Sequence, residues 1–215
     1  MSSNSASSLS IISQLASSQN RRDEKPNQAL AKQIVAENNK QAVSILIESL
    51  TKKGKDIQSD CIKVLYEIGE QKPRLIASHV NDFVALLDSK NNRLQWGAMI
   101  ALDAIATENP KVIYTTLAKI INVADKGSVI TKDHAVNILI KLCAEKQYAD
   151  NAFTLLIEQL KSAPANQLPK YAEEAVPIIN NKNKILFIKT LLSRLDDIEK
   201  DTKRKRVEKA IKKLS

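Results

Sequence analysis

Glycine, aromatic residues and cysteine are all scarce in this 215-residue chain, and each scarcity closes off a class of protein. Four Gly and 4% aromatic residues leave few formers of tight turns and strands, so sheets are not expected, and no Gly-rich loop of the kind that cradles phosphate is present. Cys61 and Cys143 lie far apart, without C-x-x-C spacing and inside apolar runs. They predict two buried thiols in a reducing compartment, not a disulfide framework. His79 and His134 stand alone, with no Cys or carboxylate at ligand spacing, which gives metal or hydrolytic chemistry no footing. No run approaches the roughly 18 uncharged apolar residues a membrane span needs. The expectation is an intracellular, cytoplasmic protein that is not an enzyme, with no catalytic, metal or cofactor residues.

What the chain does contain is Leu, Ile, Ala, Lys and Glu, with 43% hydrophobic residues, enough for a core and biased toward helix. The net charge of +9 is not spread evenly: residues 181–215 hold 12 Lys and Arg against 5 Asp and Glu. The basicity therefore belongs to the last helical stretch. At the other end, residues 1–20 carry nine Ser and no charge, which predicts a flexible tail over residues 1–7.

Apolar residues at i, i+3, i+4 and i+7 define one face of a helix, and two such ladders run through the chain. The first holds Val43, Leu46, Ile47 and Leu50, and returns at Val80, Phe83, Val84 and Leu87. It recurs at Leu117, Ile120, Ile121 and Ala124, then at Phe153, Leu156, Ile157 and Leu160, and last at Ile188, Leu191, Leu192 and Leu195. The second interleaves with it: Cys61, Val64, Leu65, Ile68; Ala98, Ala101, Leu102, Ile105; Ala135, Ile138, Leu139, Leu142; Ala172, Ala175, Val176, Ile179; and Val207, Ala210, Ile211, Leu214. The intervals are 35 to 37 residues, the signature of stacked helical hairpins. Ile11, Ile12 and Leu15 match the first ladder in part, and Leu30, Ala31 and Ile34 the second. Helices of the first ladder are termed A and those of the second B.

Punctuation agrees with this division. Pro73 and Pro110 open helices, with Asn109 placed to cap the second; Gly54 and Gly127 fall where left-handed C-terminal residues are wanted; Pro177 should kink or shorten its B helix.

Pro73, Leu86-Leu87-Asp88, Leu94-Gln95, Ala98, Leu102 and Ile105 occupy the places that mark a HEAT repeat, and Pro110 and Asp125 repeat two of them. The chain resembles the HEAT/armadillo-like α-helical repeat family over nearly its whole length. It departs from the pattern at the B-helix arginine, where Gln58, Gln95 and Lys132 stand. The resemblance implies an all-α fold, a right-handed α-α superhelix of about six two-helix repeats forming one domain over residues 8–215. It also implies that B helices line a concave side that binds a protein or peptide.

Comparison of equivalent B-helix positions separates apolar columns from variable ones. Trp96 stands where other repeats have Ser59, Asp133 and Lys170, and Ile100 where they have Lys63, Asn137 and Glu174. With Tyr66 and Ile140 from the next column, Trp96 and Ile100 form the candidate protein-binding patch, since Trp and Tyr anchors dominate interfaces. The alternative reading has Trp96 tucked against a neighbouring repeat. Lys203, Arg204, Lys205, Arg206 and Lys209 are candidates for an anionic partner such as nucleic acid, or else form the solvated face of a terminal cap. The favoured function is a monomeric, non-enzymatic scaffold for an unidentified protein or peptide, with nucleic acid on the basic C-terminal helix second.

Overall fold

The computed structural model describes residues 10–214, which form α-helices joined by 3-10 turns and loops, with no strand among them. The tail expected at residues 1–7 lies outside the described residues. The chain divides into two compact units, one ending at Thr131 and one starting at Lys132.

In the first unit a helical stretch at 10–13 and a 3-10 turn at Ser17–Gln19 lead into α1 (Lys25–Glu37), α2 (Lys40–Lys52) and α3 (Lys55–Gln71). α4 (Val80–Leu86), α5 (Asn92–Ala104), α6 (Pro110–Thr115) and α7 (Leu117–Lys126) follow. The central element is α3, which packs against α1, α2 and α5, while α4 lies against α5. α8 (Val129–Cys143) begins at the end of this unit. The second unit continues with α9 (Ala149–Ser162), α10 (Leu168–Ala175), α11 (Lys184–Leu192) and α12 (Asp201–Lys212). There α10 packs on α12 and α9 on α11.

Local chemistry sets these boundaries. The Asn39 side chain accepts from the Ala42 amide at 2.9 Å and opens α2, and Asn91 does the same for α5 through Arg93 at 3.0 Å, each satisfying an amide that the helix leaves orphaned. α3 stops at Gln71 because Lys72 precedes Pro73 and is driven out of helical geometry, to φ −148° and ψ 76°. Pro177 shortens its B helix as expected: α10 ends at Ala175 and one 3-10 turn, Val176–Ile178, completes it.

Gly54, Gly127, Asn109 and Pro73 depart from the expected punctuation. Gly54 and Gly127 have negative φ, so neither is a left-handed cap; that conformation belongs to Asn20 and Asn38, at φ 53° and 52°, where a short side-chain amide tolerates it. Asn109 does not cap α6 with its side chain. It donates instead to the Ala77 carbonyl at 2.8 Å and ties one hairpin to the next. Pro73 opens a 3-10 turn, not an α-helix, and the A segments of these two copies are interrupted: 3-10 turns at Pro73–Leu75 and Ala77–His79 precede α4, and α6 breaks from α7 at Thr116. The Thr116 hydroxyl bonds back to the Val112 and Ile113 carbonyls at 2.9 and 3.1 Å, a local bond that competes with helix continuation.

The ladders are the core. Cys61, Val64, Leu65 and Ile68, the set from Ala98 to Ile105, and the set from Ala135 to Leu142 are all fully buried, as are Leu46, Phe83, Ile120 and Leu156 of the A ladder. The last A copy is in a different register. Phe187, Thr190 and Leu191 are buried there, whereas Ile188 and Leu195 are only half-buried and Leu192 is exposed. α11 is apolar on nearly every side, so periodicity alone does not distinguish its core face, and the bulkier Phe187 takes the buried place. The thiols also part company. Cys61 is buried and Cys143 half-buried, both free, and burial pushes each thiol up to about 12.

Candidate binding surface

Tyr66 projects from the middle of α3 and Trp96 from the first half of α5, and the packing of these two B helices brings their rings to 5.9 Å between centroids at a 49° tilt. What permits the approach is Gly97. A Cβ there would stand 2.6 Å from the Cγ1 of buried Ile62, so only glycine lets α5 lie this close to α3 beside Trp96.

Two cations cover the aromatic pair. Lys63, one turn before Tyr66 on α3, holds its ammonium 4.8 Å from the Tyr66 centroid, and Arg93, one turn before Trp96 on α5, holds its guanidinium 5.2 Å from the Trp96 centroid. These are cation-π distances. Glu24, at the start of α1, bridges both cations: it accepts from Lys63 at 3.0 Å and from the Arg93 guanidinium. Glu67 pairs with Lys63 from the other side at 2.6 Å. Burial alone would raise the Glu24 carboxyl, but Lys63 and Arg93 outweigh it and hold the group below its ordinary value. Burial works against the charged Lys63 ammonium too, yet Glu67, Tyr66 and Glu24 hold its pKa above the usual lysine value. The result is an ordered array in which Lys63 is only 7% exposed.

This changes the meaning of the predicted patch. Tyr66 and Ile100, expected on an exposed column, are 6% and 8% exposed, and the Lys63 ammonium and the Trp96 ring lie against the Tyr66 ring. Ile140 lies half-buried on α8 in the second unit. Trp96 is half-buried, neither free nor sealed. A cleft of about 580 Å³ adjoins the array, lined by Arg93 and Glu24 together with Arg21, Arg22, Asp56 and Ser59. Its walls carry both signs of charge. Spacing within one helix could have shown the Lys63-Tyr66-Glu67 and Arg93-Trp96 groupings, but nothing local announces Glu24, 69 residues from Arg93.

The same N-terminal segment is pinned by a partly buried polar network. Asp60 accepts from the Ser17 amide at 2.7 Å and from the Asn27 side chain at 2.7 Å, and Asn27 accepts from the Ala16 amide at 3.0 Å. Glu24 is thereby carried to its place by contacts on both sides of it in the chain.

At the C-terminus, three of the five candidate cations have internal partners. Lys203 donates to Asn166 at 2.8 Å, Arg204 to the Leu195 carbonyl and to Asp196, each at 3.2 Å, and Arg206 to both oxygens of Glu173 on α10. The Arg206 guanidinium holds the Glu173 carboxyl below its ordinary value. Lys205 and Lys209 are exposed, and Val207 and Ala210 are the buried side of the helix. Among the described residues no cluster of His, Cys, Asp and Glu could hold a metal ion, and no helix is long and apolar enough to cross a membrane.

Helical hairpins recurring every 35 to 37 residues, two of them with the A segment split by 3-10 turns or a break at Thr116, define an armadillo/HEAT-like helical-repeat fold. A designed armadillo repeat protein solved in complex with the peptide (KR)4 is similar to this chain at a TM-score of 0.66 and 18% identity, over 96% of this chain and 98% of that one. A second designed armadillo repeat protein reaches 0.63 at 18% identity, covering 96% and 99%, and an engineered protein reaches 0.58 at 17% identity, covering 97% and 98%. No protein-family profile and no curated protein matches the chain.

Proposed function

We propose that the protein is a non-enzymatic scaffold that binds a protein or peptide segment on its B helices, with Trp96 and the adjoining cleft as the contact site. The observation that carries this reading is the state of Trp96: a half-exposed indole held against the tilted Tyr66 ring and under the Arg93 guanidinium. Such a side chain has little freedom left to lose on binding, and pre-organised aromatics make effective anchors. The (KR)4 complex of the designed armadillo protein supports peptide binding as something this fold can do. The mixed charge of the cleft suits a partner segment carrying both signs, read through Arg22, Arg93 and Asp56. Tyr66 acts from beneath, as the platform that fixes Trp96.

The test is selection from a peptide display library, followed by titration of the winners against the emission of Trp96, the only Trp. Trp96→Ala should weaken those peptides by at least about tenfold. Undiminished affinity in that variant would overturn the reading. So would binding of generic DNA with a steep salt slope that disappears in Lys205→Glu/Lys209→Glu, because the C-terminal helix would then be the functional surface.

A further inference from the structure

We propose that the outward face of α11 is a docking site for an amphipathic helix whose apolar stripe is edged by Asp and Glu. The described residues include five exposed large hydrophobic side chains, and three of them, Ile185, Leu186 and Leu192, sit on this nine-residue helix. Ile185 is 79% exposed and Leu192 52%. They are seven residues apart, with half-buried Ile188 between them at i+3, so they form one stripe along two helical turns. Phe187, Thr190 and Leu191 point the other way into the core. A helix apolar on both faces is ordinarily buried on both, and clustered exposed apolar residues, unlike scattered ones, mark interaction surfaces.

Charge selects the occupant. From Asn180 to Leu195 there is no carboxylate, while Lys184 and Lys189 on α11 stand one turn from stripe residues, four before Ile188 and four after Ile185, and Lys182 lies just before the helix. The next acids along the chain, Asp196 and Asp197, are paired with Arg204 and Arg194. A second copy of the chain would set like charges against one another. An anionic bilayer would have to be held by two turns of stripe, whereas helices that lie in membrane interfaces often run to 20–30 residues. An apolar stripe edged by carboxylates matches both the length and the cationic border. The site is on an A helix of the second unit, and it stands independently of the Trp96 surface.

The probes are two helix-forming peptides of about 16 residues with identical Leu stripes, one edged by Glu and one by Lys, each fluorescein-labelled and titrated against the full chain by anisotropy. The Glu-edged peptide should bind at least about tenfold more tightly than the Lys-edged one. Ile185→Ser/Leu192→Ser should cost it about tenfold or more without lowering the melting temperature, since neither side chain is in the core. Lys184→Glu/Lys189→Glu should reverse the preference between the peptides, and Trp96→Ala should change nothing. The proposal is overturned by equal affinity for the two peptides, by undiminished binding in the double serine variant, or by loss in Trp96→Ala. It is also overturned if the apolar stripe instead drives self-association, or binding to phosphatidylserine vesicles, in place of the peptide.

Discussion

Replacing Gly97 by alanine sets two effects of opposite sign against each other, and the packing of α5 on α3 decides between them. Gly97 lies inside α5, where alanine is favoured over glycine by about 0.8–1.0 kcal/mol. Against this, the new methyl would stand 2.6 Å from Ile62 Cγ1, 3.2 Å from Cγ2 and 3.5 Å from Cβ. Ile62 is fully buried and branched at Cβ, the carbon that carries both crowded γ-carbons, so the clash cannot be relieved by swinging a chain end. Overpacking of this kind costs about 1–3 kcal/mol, and with both γ-carbons of one stiff, buried side chain crowded the upper part of that range applies. The net loss should be about 1–2 kcal/mol, a fall of roughly 0.5–1 M in urea midpoint at a slope near 2 kcal/mol/M. Urea titration followed by Trp96 emission reads this directly, because the probe is the adjacent residue. Ile62→Ala, which removes both contacting γ-carbons, should cost about 2–5 kcal/mol alone, but less than its full cost in the Gly97→Ala background, giving a coupling of about 1 kcal/mol or more. A rise in midpoint on Gly97→Ala, or strict additivity of the two changes, would refute the close-approach account of the Tyr66–Trp96 pair.

The register of the ladders can be read by comparing two leucines: Leu102→Ala, fully buried, should cost about 2–5 kcal/mol, whereas Leu192→Ala on the exposed side of α11 should stay within about 0.5 kcal/mol by thermal melting. Asp60→Ala strips the acceptor from the Ser17 amide and the buried Asn27 side chain, at about 1–3 kcal/mol for each donor left unmet; tryptic cleavage at exposed Arg21 and Arg22 should accelerate, and an unchanged rate would contradict the pinning network. Because the folded Glu24 carboxyl titrates below its ordinary 4.5, its ion pairs contribute stability that is complete above that value and is lost as pH falls through the lower, folded value. Trp96 emission should therefore shift in that acidic window as Arg93 is released, and Glu24→Gln should abolish the step while leaving the unfolding baseline unchanged.

Much of the architecture is local in origin. The 35-to-37-residue ladders mark core columns because a helix face that must be buried has to be apolar every three to four residues, and Leu102, Ile138 and Leu156 lie where that rule puts them. Pro177 and the Lys72-Pro73 pair stop helices for steric reasons confined to adjacent residues. Where composition is apolar on every side the rule loses its hold, and α11 shifts its buried face to Phe187, leaving Leu192 in solvent. Gly54 and Gly127 show the same limit in turns, since helices end here with several backbone geometries and the left-handed one fell to Asn20 and Asn38.

The candidate surface divides along the same line. Variation between equivalent B-helix positions singles out Trp96, since a Trp among Ser59, Asp133 and Lys170 is visible in the sequence alone. Whether Tyr66 and Ile100 share its exposure depends on the separation of α3 and α5, which Gly97 and Ile62 set through contacts that no periodicity encodes. The ring of Lys63, Glu24 and Arg93 draws on three helices, and its counter-ion comes from a distant part of the chain. Electrostatic pairing acts through space and falls with distance, so residues remote in sequence become partners only after hydrophobic burial has brought their helices together.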